Sequence, residues 1–203
     1  MATDPTAEAA ALRVGIFGGT FDPPHVGHLS VARDVADALR LDRTVWMPAG
    51  RPPHKERDRH APAEDRLAMV RAAIVGEAGF EVDAREVERP GPSYTVDSVR
   101  ELSAELPGAE LFVIVGADQF RSFGGWHDPE GILEHARLVV MNRPGESEPP
   151  LDTDPRVLRV AVRQIDVSST DVRETVCAGA DASPMVPNGV LEIIEERGLY
   201  RGA

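Results

Sequence analysis

The residues best suited to chemistry stand in two short stretches far apart in the chain. Gly18-Gly19-Thr20-Phe21-Asp22-Pro23-Pro24-His25-Val26-Gly27-His28 follows an apolar run and leads into a helical pattern. A glycine turn between strand and helix offers free backbone N–H groups and the positive end of a helix dipole, which suits a phosphate. His25 and His28, three residues apart, share one face of the helix start and can both donate to phosphate oxygens. No Lys closes the turn as in a P-loop, and the glycine spacing is not G-x-G-x-x-G. Taken alone the histidines could equally be surface and capping residues, or two ligands of a metal with Asp22 as third. Asp166-Val167-Ser168-Ser169-Thr170-Asp171-Val172-Arg173 opens a second helix. Its hydroxyls, N–H groups and guanidinium form either an ordinary N-cap beside a solvated charge or a cradle for further phosphates. Two anion-binding helix starts in one domain point to a polyphosphate.

These stretches need a scaffold, and the sequence supplies alternating strands and helices. Apolar runs predict strands at Leu12–Phe17, Thr44–Met47, Glu110–Val115, Leu138–Met141 and Val157–Val162, with one or two more within Phe80–Val87. Helical spacing predicts helices at Val26–Leu39, Ala63–Val75, Tyr94–Leu106 capped by Ser93, Pro129–His135, Ser168–Cys177 and Val190–Arg197, with a short one after Gly116-Ala117-Asp118. The order implies an α/β fold, a Rossmann-like doubly wound parallel sheet forming a single domain over 1–203, with residues 1–11 a flexible N-terminal extension. Ligands in such a sheet sit at the carboxyl ends of the strands.

Composition narrows the function further. The 203 residues carry 22 Lys plus Arg against 34 Asp plus Glu, a net charge of −12. So acidic a surface repels nucleic acid at long range, and anionic substrates must meet local positive charge. The basic stretch Ala49–Pro62, with Arg51, His54, Lys55, Arg57, Arg59 and His60, is the obvious source. Cys177 is the lone cysteine, which excludes an internal disulfide. No secretory pattern or stretch of about 20 apolar residues stands out, so the expected location is cytoplasmic, without membrane contact.

Gly19-x-Phe21-x-Pro23-x-His25-x-x-His28 and Ser168-Ser169-Thr170-x-x-Arg173 resemble the two signature elements of the nucleotidyltransferase superfamily with the H-x-G-H motif. Pro52-Pro53-His54-Lys55, Ser93-Tyr94-Thr95-x-Asp97, Gly116-x-Asp118, Trp126 and Asn142-Arg143-Pro144-Gly145 extend the resemblance to the bacterial nicotinate mononucleotide adenylyltransferases. It implies adenylyl transfer from ATP to nicotinate mononucleotide in NAD biosynthesis. It further implies that Gly18, Gly19, Thr20 and Phe21 lie along the ATP phosphates, and that His25 and His28 contact the phosphate under attack. Ser168, Ser169 and Arg173 would hold the β and γ phosphates, and Gly116 and Asp118 would face adenosine. Trp126 would pack on the pyridine ring, the Thr95 backbone would meet its carboxylate, and Lys55 would reach the mononucleotide phosphate. The expected partners are ATP and a pyridine mononucleotide, with Mg2+ bound mainly through the ATP phosphates and a homo-oligomer open. The alternatives are a sister enzyme acting on nicotinamide mononucleotide or phosphopantetheine, and a nucleotide sensor without turnover. A tRNA ligase lacks its K-M-S-K-S element here.

Overall fold

A computed structural model of the chain describes residues 11–51, 60–142 and 154–201. Six strands, β1 (Arg13–Gly19), β2 (Arg43–Pro48), β3 (Phe80–Val82), β4 (Glu110–Gly116), β5 (Ala136–Asn142) and β6 (Val157–Ala161), form one sheet in the order β3-β2-β1-β4-β5-β6. Every pairing is parallel. Parallel strands need crossovers, and the helices supply them: α1 (Val26–Leu39), α2 (Ala63–Ala73), α3 (Arg85–Glu88), α4 (Thr95–Glu105), α5 (Ala117–Arg121), α6 (Pro129–His135), α7 (Ser169–Cys177) and α8 (Asn188–Glu196). The strand order reverses between β1 and β4, so the two chain directions part there and leave a crevice.

Both faces of the sheet are covered, which explains why β4 reads as an unbroken apolar run. Leu111, Val113 and Val115 point to the layer containing Val96 and Val99 of α4 and Ile132 of α6. Phe112 and Ile114 point to the opposite layer, with Leu29, Ala32 and Val35 of α1 and Val70 of α2. Each of these side chains larger than alanine, fully buried, contributes roughly 1.5–3 kcal/mol. A third cluster, with Met69, Ala73, Val172, Val190 and Ile194, packs α7 and α8 onto α2 and so brings the end of the chain back to the first turn.

Four local expectations are revised. β1 runs on through the glycine pair, with Gly18 opposite Met47 and Gly19 opposite Pro48, so the turn begins at Thr20. The stretch Phe80–Val87 is strand only to Val82. Asp83 then accepts from the Arg85 N–H at 2.9 Å and turns the chain into α3. Ser93 does not cap α4, whose N-cap is Tyr94; its Oγ accepts instead from the N–H groups of Gly50 at 3.0 Å and Arg51 at 3.2 Å. The last helix starts at Asn188, two residues before the first apolar residue of its periodicity. Lys55 and the segment Arg143-Pro144-Gly145 lie outside the described residues, as does the proposed N-terminal extension save Ala11.

Candidate active site

A cleft of about 950 Å³ opens at the carboxyl edge of the sheet, over the point where β1 and β4 part. Gly18, Gly19, Thr20, Phe21, His25, His28, Thr95, Gly116, Asp118, Trp126, Ser168, Ser169 and Arg173 all line it. Every residue to which the resemblance assigns a substrate contact, Lys55 apart, therefore lines one space, whereas Arg51 and Asp97 do not.

The imidazoles are held by their own helix. His25 is the N-cap of α1, and its backbone N–H donates to Nδ1 of His28 at 3.2 Å. In neutral His28 that bond places the ring proton on Nε2, the other nitrogen, as a donor. The two rings lie 3.7 Å apart between centroids, and the edge of Phe21 meets His28 at 5.2 Å. Phe21 itself sits at φ 49° and is 3% exposed, so the sharpest residue of the turn is fixed by core packing. Gly27 is the glycine of the H-x-G-H motif, and its place against the His25 ring follows only from the structure. A Cβ there would stand 2.9 Å from Nδ1 of His25, so only glycine lets that ring lie against the helix.

The second stretch meets the first directly. Ser169 Oγ donates to the backbone oxygen of Pro23 at 2.9 Å, and Arg173 Nη1 donates to that of Asp22 at 2.7 Å. Thr170 Oγ1 accepts from Arg173 Nη2 at 3.1 Å, which orients the guanidinium. Ser168 caps α7: its Oγ lies 2.6 Å from Asp171 Oδ2 and accepts from the Asp171 N–H at 3.2 Å. The hydroxyl of Ser168, with its backbone N–H donating to the same oxygen at 2.8 Å, holds the Asp171 carboxyl below the usual carboxylate range. The hydroxyl protons of Ser168 and Ser169 are thus spent inside the fold. What α7 offers an anion is its first-turn N–H groups and the Arg173 guanidinium.

A second group of rings lines the cleft as well. Trp126 follows the 3-10 turn Phe123–Gly125 and is half-buried, its ring 5.5 Å from that of Phe123. Tyr94 and His127 stack at 4.2 Å beside the first turn of α4, where Thr95 lies. Glu86 of α3 also lines the cleft, buried, with Oε1 accepting from Ser98 Oγ at 2.9 Å; burial pushes its carboxyl above the usual range. Asp118 is exposed and pairs with Arg121. Gly116 donates through its N–H to Gln119 Oε1 at 3.2 Å.

Sequence reasoning passed over the polar frame behind the turn. Arg66 on α2 is 2% exposed and donates to the carbonyls of Thr20 at 2.7 Å, Ala61 at 3.1 Å and Gly50 at 3.2 Å. Its signal was an arginine on the buried face of α2, next to Leu67 and one turn before Val70. Asp22 does not join His25 and His28 in a metal-holding group; its carboxylate is occupied by Tyr200, the Ala61 N–H and His60. Among the described residues no three His, Cys, Asp or Glu are grouped to hold a metal, and no helix is long and apolar enough to cross a membrane.

The model of the cytidylyltransferase-like family matches residues 16–175. A Rubrobacter xylanophilus protein named "Probable nicotinate-nucleotide adenylyltransferase" is 45% identical over 198 residues, covering 94% of this chain and 92% of its own length. A Thermus thermophilus protein of the same name is 42% identical over 191 residues, covering 94% and 100%. Among solved structures, the Plasmodium falciparum nicotinic acid mononucleotide adenylyltransferase complexed with NaAD superimposes with a TM-score of 0.75 at 15% identity, over 93% of this chain and 97% of that one. At that identity the likeness establishes the fold.

Proposed function

The chain belongs to the cytidylyltransferase-like family, among the nicotinate-nucleotide adenylyltransferases, and from that premise we infer that it transfers the adenylyl group of ATP to nicotinate mononucleotide. The products are nicotinate adenine dinucleotide and pyrophosphate, a step of NAD biosynthesis. The observation that carries this reading in the structure is the meeting of the two anion-binding helix starts in one cleft, through Arg173 on Asp22 and Ser169 on Pro23.

The chemistry is a displacement at phosphorus. A phosphate oxygen of the mononucleotide attacks the α-phosphorus of ATP, the bond to the bridging oxygen breaks, and pyrophosphate leaves with the electron pair. The attacking phosphate is already ionised at neutral pH, so neither a protein nucleophile nor a general base is required. The protein aligns the reactants and neutralises charge as it builds. In this assignment Gly18, Gly19, Thr20 and Phe21 run along the phosphates, and His25 and His28 donate to the phosphate under attack. The start of α7 at Ser168 and Ser169, with Arg173, holds the leaving pyrophosphate. Gly116 and Asp118 face adenosine. Trp126 and the Thr95 backbone receive the pyridine ring and its carboxylate, and Lys55 meets the mononucleotide phosphate.

Mg2+ enters with ATP, carried by the phosphates, which fits a cleft whose described residues include no acidic cage. Both substrates are cytoplasmic metabolites, and we place the reaction there. The test is to incubate the protein with ATP, Mg2+ and, separately, nicotinate mononucleotide, nicotinamide mononucleotide and phosphopantetheine, and to identify products by mass. Dinucleotide formed fastest from the nicotinate compound supports the reading, and preference for either of the other two refutes it.

A further inference from the structure

The carboxylate of Asp22 is 2% exposed and gathers contacts from three distant segments. Oδ1 accepts from the Tyr200 hydroxyl at 2.7 Å and from the Ala61 N–H at 3.1 Å. Oδ2 lies 2.7 Å from Nδ1 of His60 and 3.9 Å from Nη1 of Arg173. That same Nη1 donates to the backbone oxygen of Asp22. The Arg173 guanidinium is therefore moored to the main chain of Asp22 while the side chain's negative charge stands just beyond hydrogen-bond reach.

Tyr200 reaches this point because of how α8 ends. Gly198 adopts φ 62° directly after the C-cap Arg197, and the Leu199 N–H returns to the carbonyl of Ile194 at 2.9 Å. This glycine-closed helix end turns the chain back toward the first turn of the protein. Tyr200 then takes φ 61°, a left-handed conformation that non-glycine residues hold only when their surroundings impose it. Its ring packs on the cluster between α2, α7 and α8. Burial and the neighbouring carboxylate raise the phenol well above its usual range, so it stays protonated and donates at any working pH.

We propose that Tyr200 is a positioning residue for ATP: by fixing the Asp22 carboxylate, it keeps the Arg173 guanidinium available to the triphosphate. The reasoning is one of competition for donors. Losing the phenol leaves Oδ1 with the Ala61 N–H, and a buried carboxylate short of a donor draws on a charged group standing just beyond its present bonds. Arg173 is such a group, and closing the 3.9 Å gap to Asp22 takes a charged donor out of the cleft. Tyr200 touches no reacting atom and acts through Asp22 and Arg173. The proposal rests on the adenylyl-transfer reading for its substrate.

The experiment compares the full-length protein with Tyr200→Phe, which keeps the ring, by calorimetric ATP binding, steady-state kinetics and a thermal scan. Expected are an ATP dissociation constant and KM raised about tenfold, the scale of one hydrogen bond to a charged group. KM for nicotinate mononucleotide should stay within about twofold, and Tm within about 4 °C. Unchanged ATP constants overturn the proposal. So does a parallel loss in both substrates with a collapsed Tm, which marks a purely structural role. If the parent protein binds ATP without turnover, the reaction assignment fails while the binding comparison still decides the role of Tyr200. If it binds no ATP, both fall.

Discussion

A side chain at Gly27 cannot coexist with the observed ring of His25: a Cβ would lie 2.9 Å from Nδ1 and 3.0 Å from Cε1. Gly27 lies in the first turn of α1 and is buried, so whatever helix propensity alanine adds is offset by its overlap with the His25 ring. Stability and activity should therefore separate. Gly27→Ala should change Tm by only a few degrees while lowering kcat about tenfold or more, because the His25 imidazole is displaced from the attacked phosphate. A thermal scan beside steady-state kinetics checks this, and wild-type turnover would show that the His25 ring position is immaterial.

Trp126 offers the cleft a flat, half-buried surface on a different element from Arg173. Replacing it with alanine removes a stacking face that is worth about 1–3 kcal/mol per base where it has been measured. Trp126→Ala should raise KM for the mononucleotide about tenfold or more and leave KM for ATP near its original value. Equal effects on both substrates would place the pyridine ring elsewhere.

Glu86 gives a pH dependence with a definite sign. Burial raises its pKa in the folded state, with the Ser98 bond and Arg89 opposing. An acid with a raised folded pKa contributes stability fully below its unfolded pKa, near 4.3, and loses it as pH climbs through the folded value. Glu86→Gln keeps an acceptor for Ser98 Oγ without the charge. Its Tm should exceed that of the parent at pH 7 to 8, by about 2–4 °C for each kcal/mol recovered, and converge with it near pH 4. Melting curves across that range provide the check; a variant less stable at pH 8 than at pH 4 relative to the parent would reverse the sign.

What the sequence revealed depended on how local the cause was. β4 is legible because both its faces are buried, which leaves a plain apolar run from Leu111 to Val115. His25, His28, Ser168 and Arg173 are legible because helix starts announce themselves through caps and glycine turns. The bond from Tyr200 to Asp22 spans 178 positions and follows only from the docking of α8 on α2, which no spacing encodes. Ser93 misled for a related reason. Its hydroxyl had a choice between its own helix and the backbone of Gly50 and Arg51, and tertiary proximity decided. The hydroxyls of Ser168 and Ser169 were read as ligand donors, but the carboxylate of Asp171 and the carbonyl of Pro23 lie closer to hand.

The central claim is that the paired imidazoles stabilise an adenylyl group in transfer, and pyrophosphate release measures it most directly. With ATP, Mg2+ and nicotinate mononucleotide, the parent protein should release one pyrophosphate per dinucleotide formed. His28→Ala should slow that release about 10²- to 10³-fold, the usual loss for one preorganised donor, with little change in ATP affinity. Release at the parent rate from His28→Ala, or none from the parent with any mononucleotide, would contradict the account.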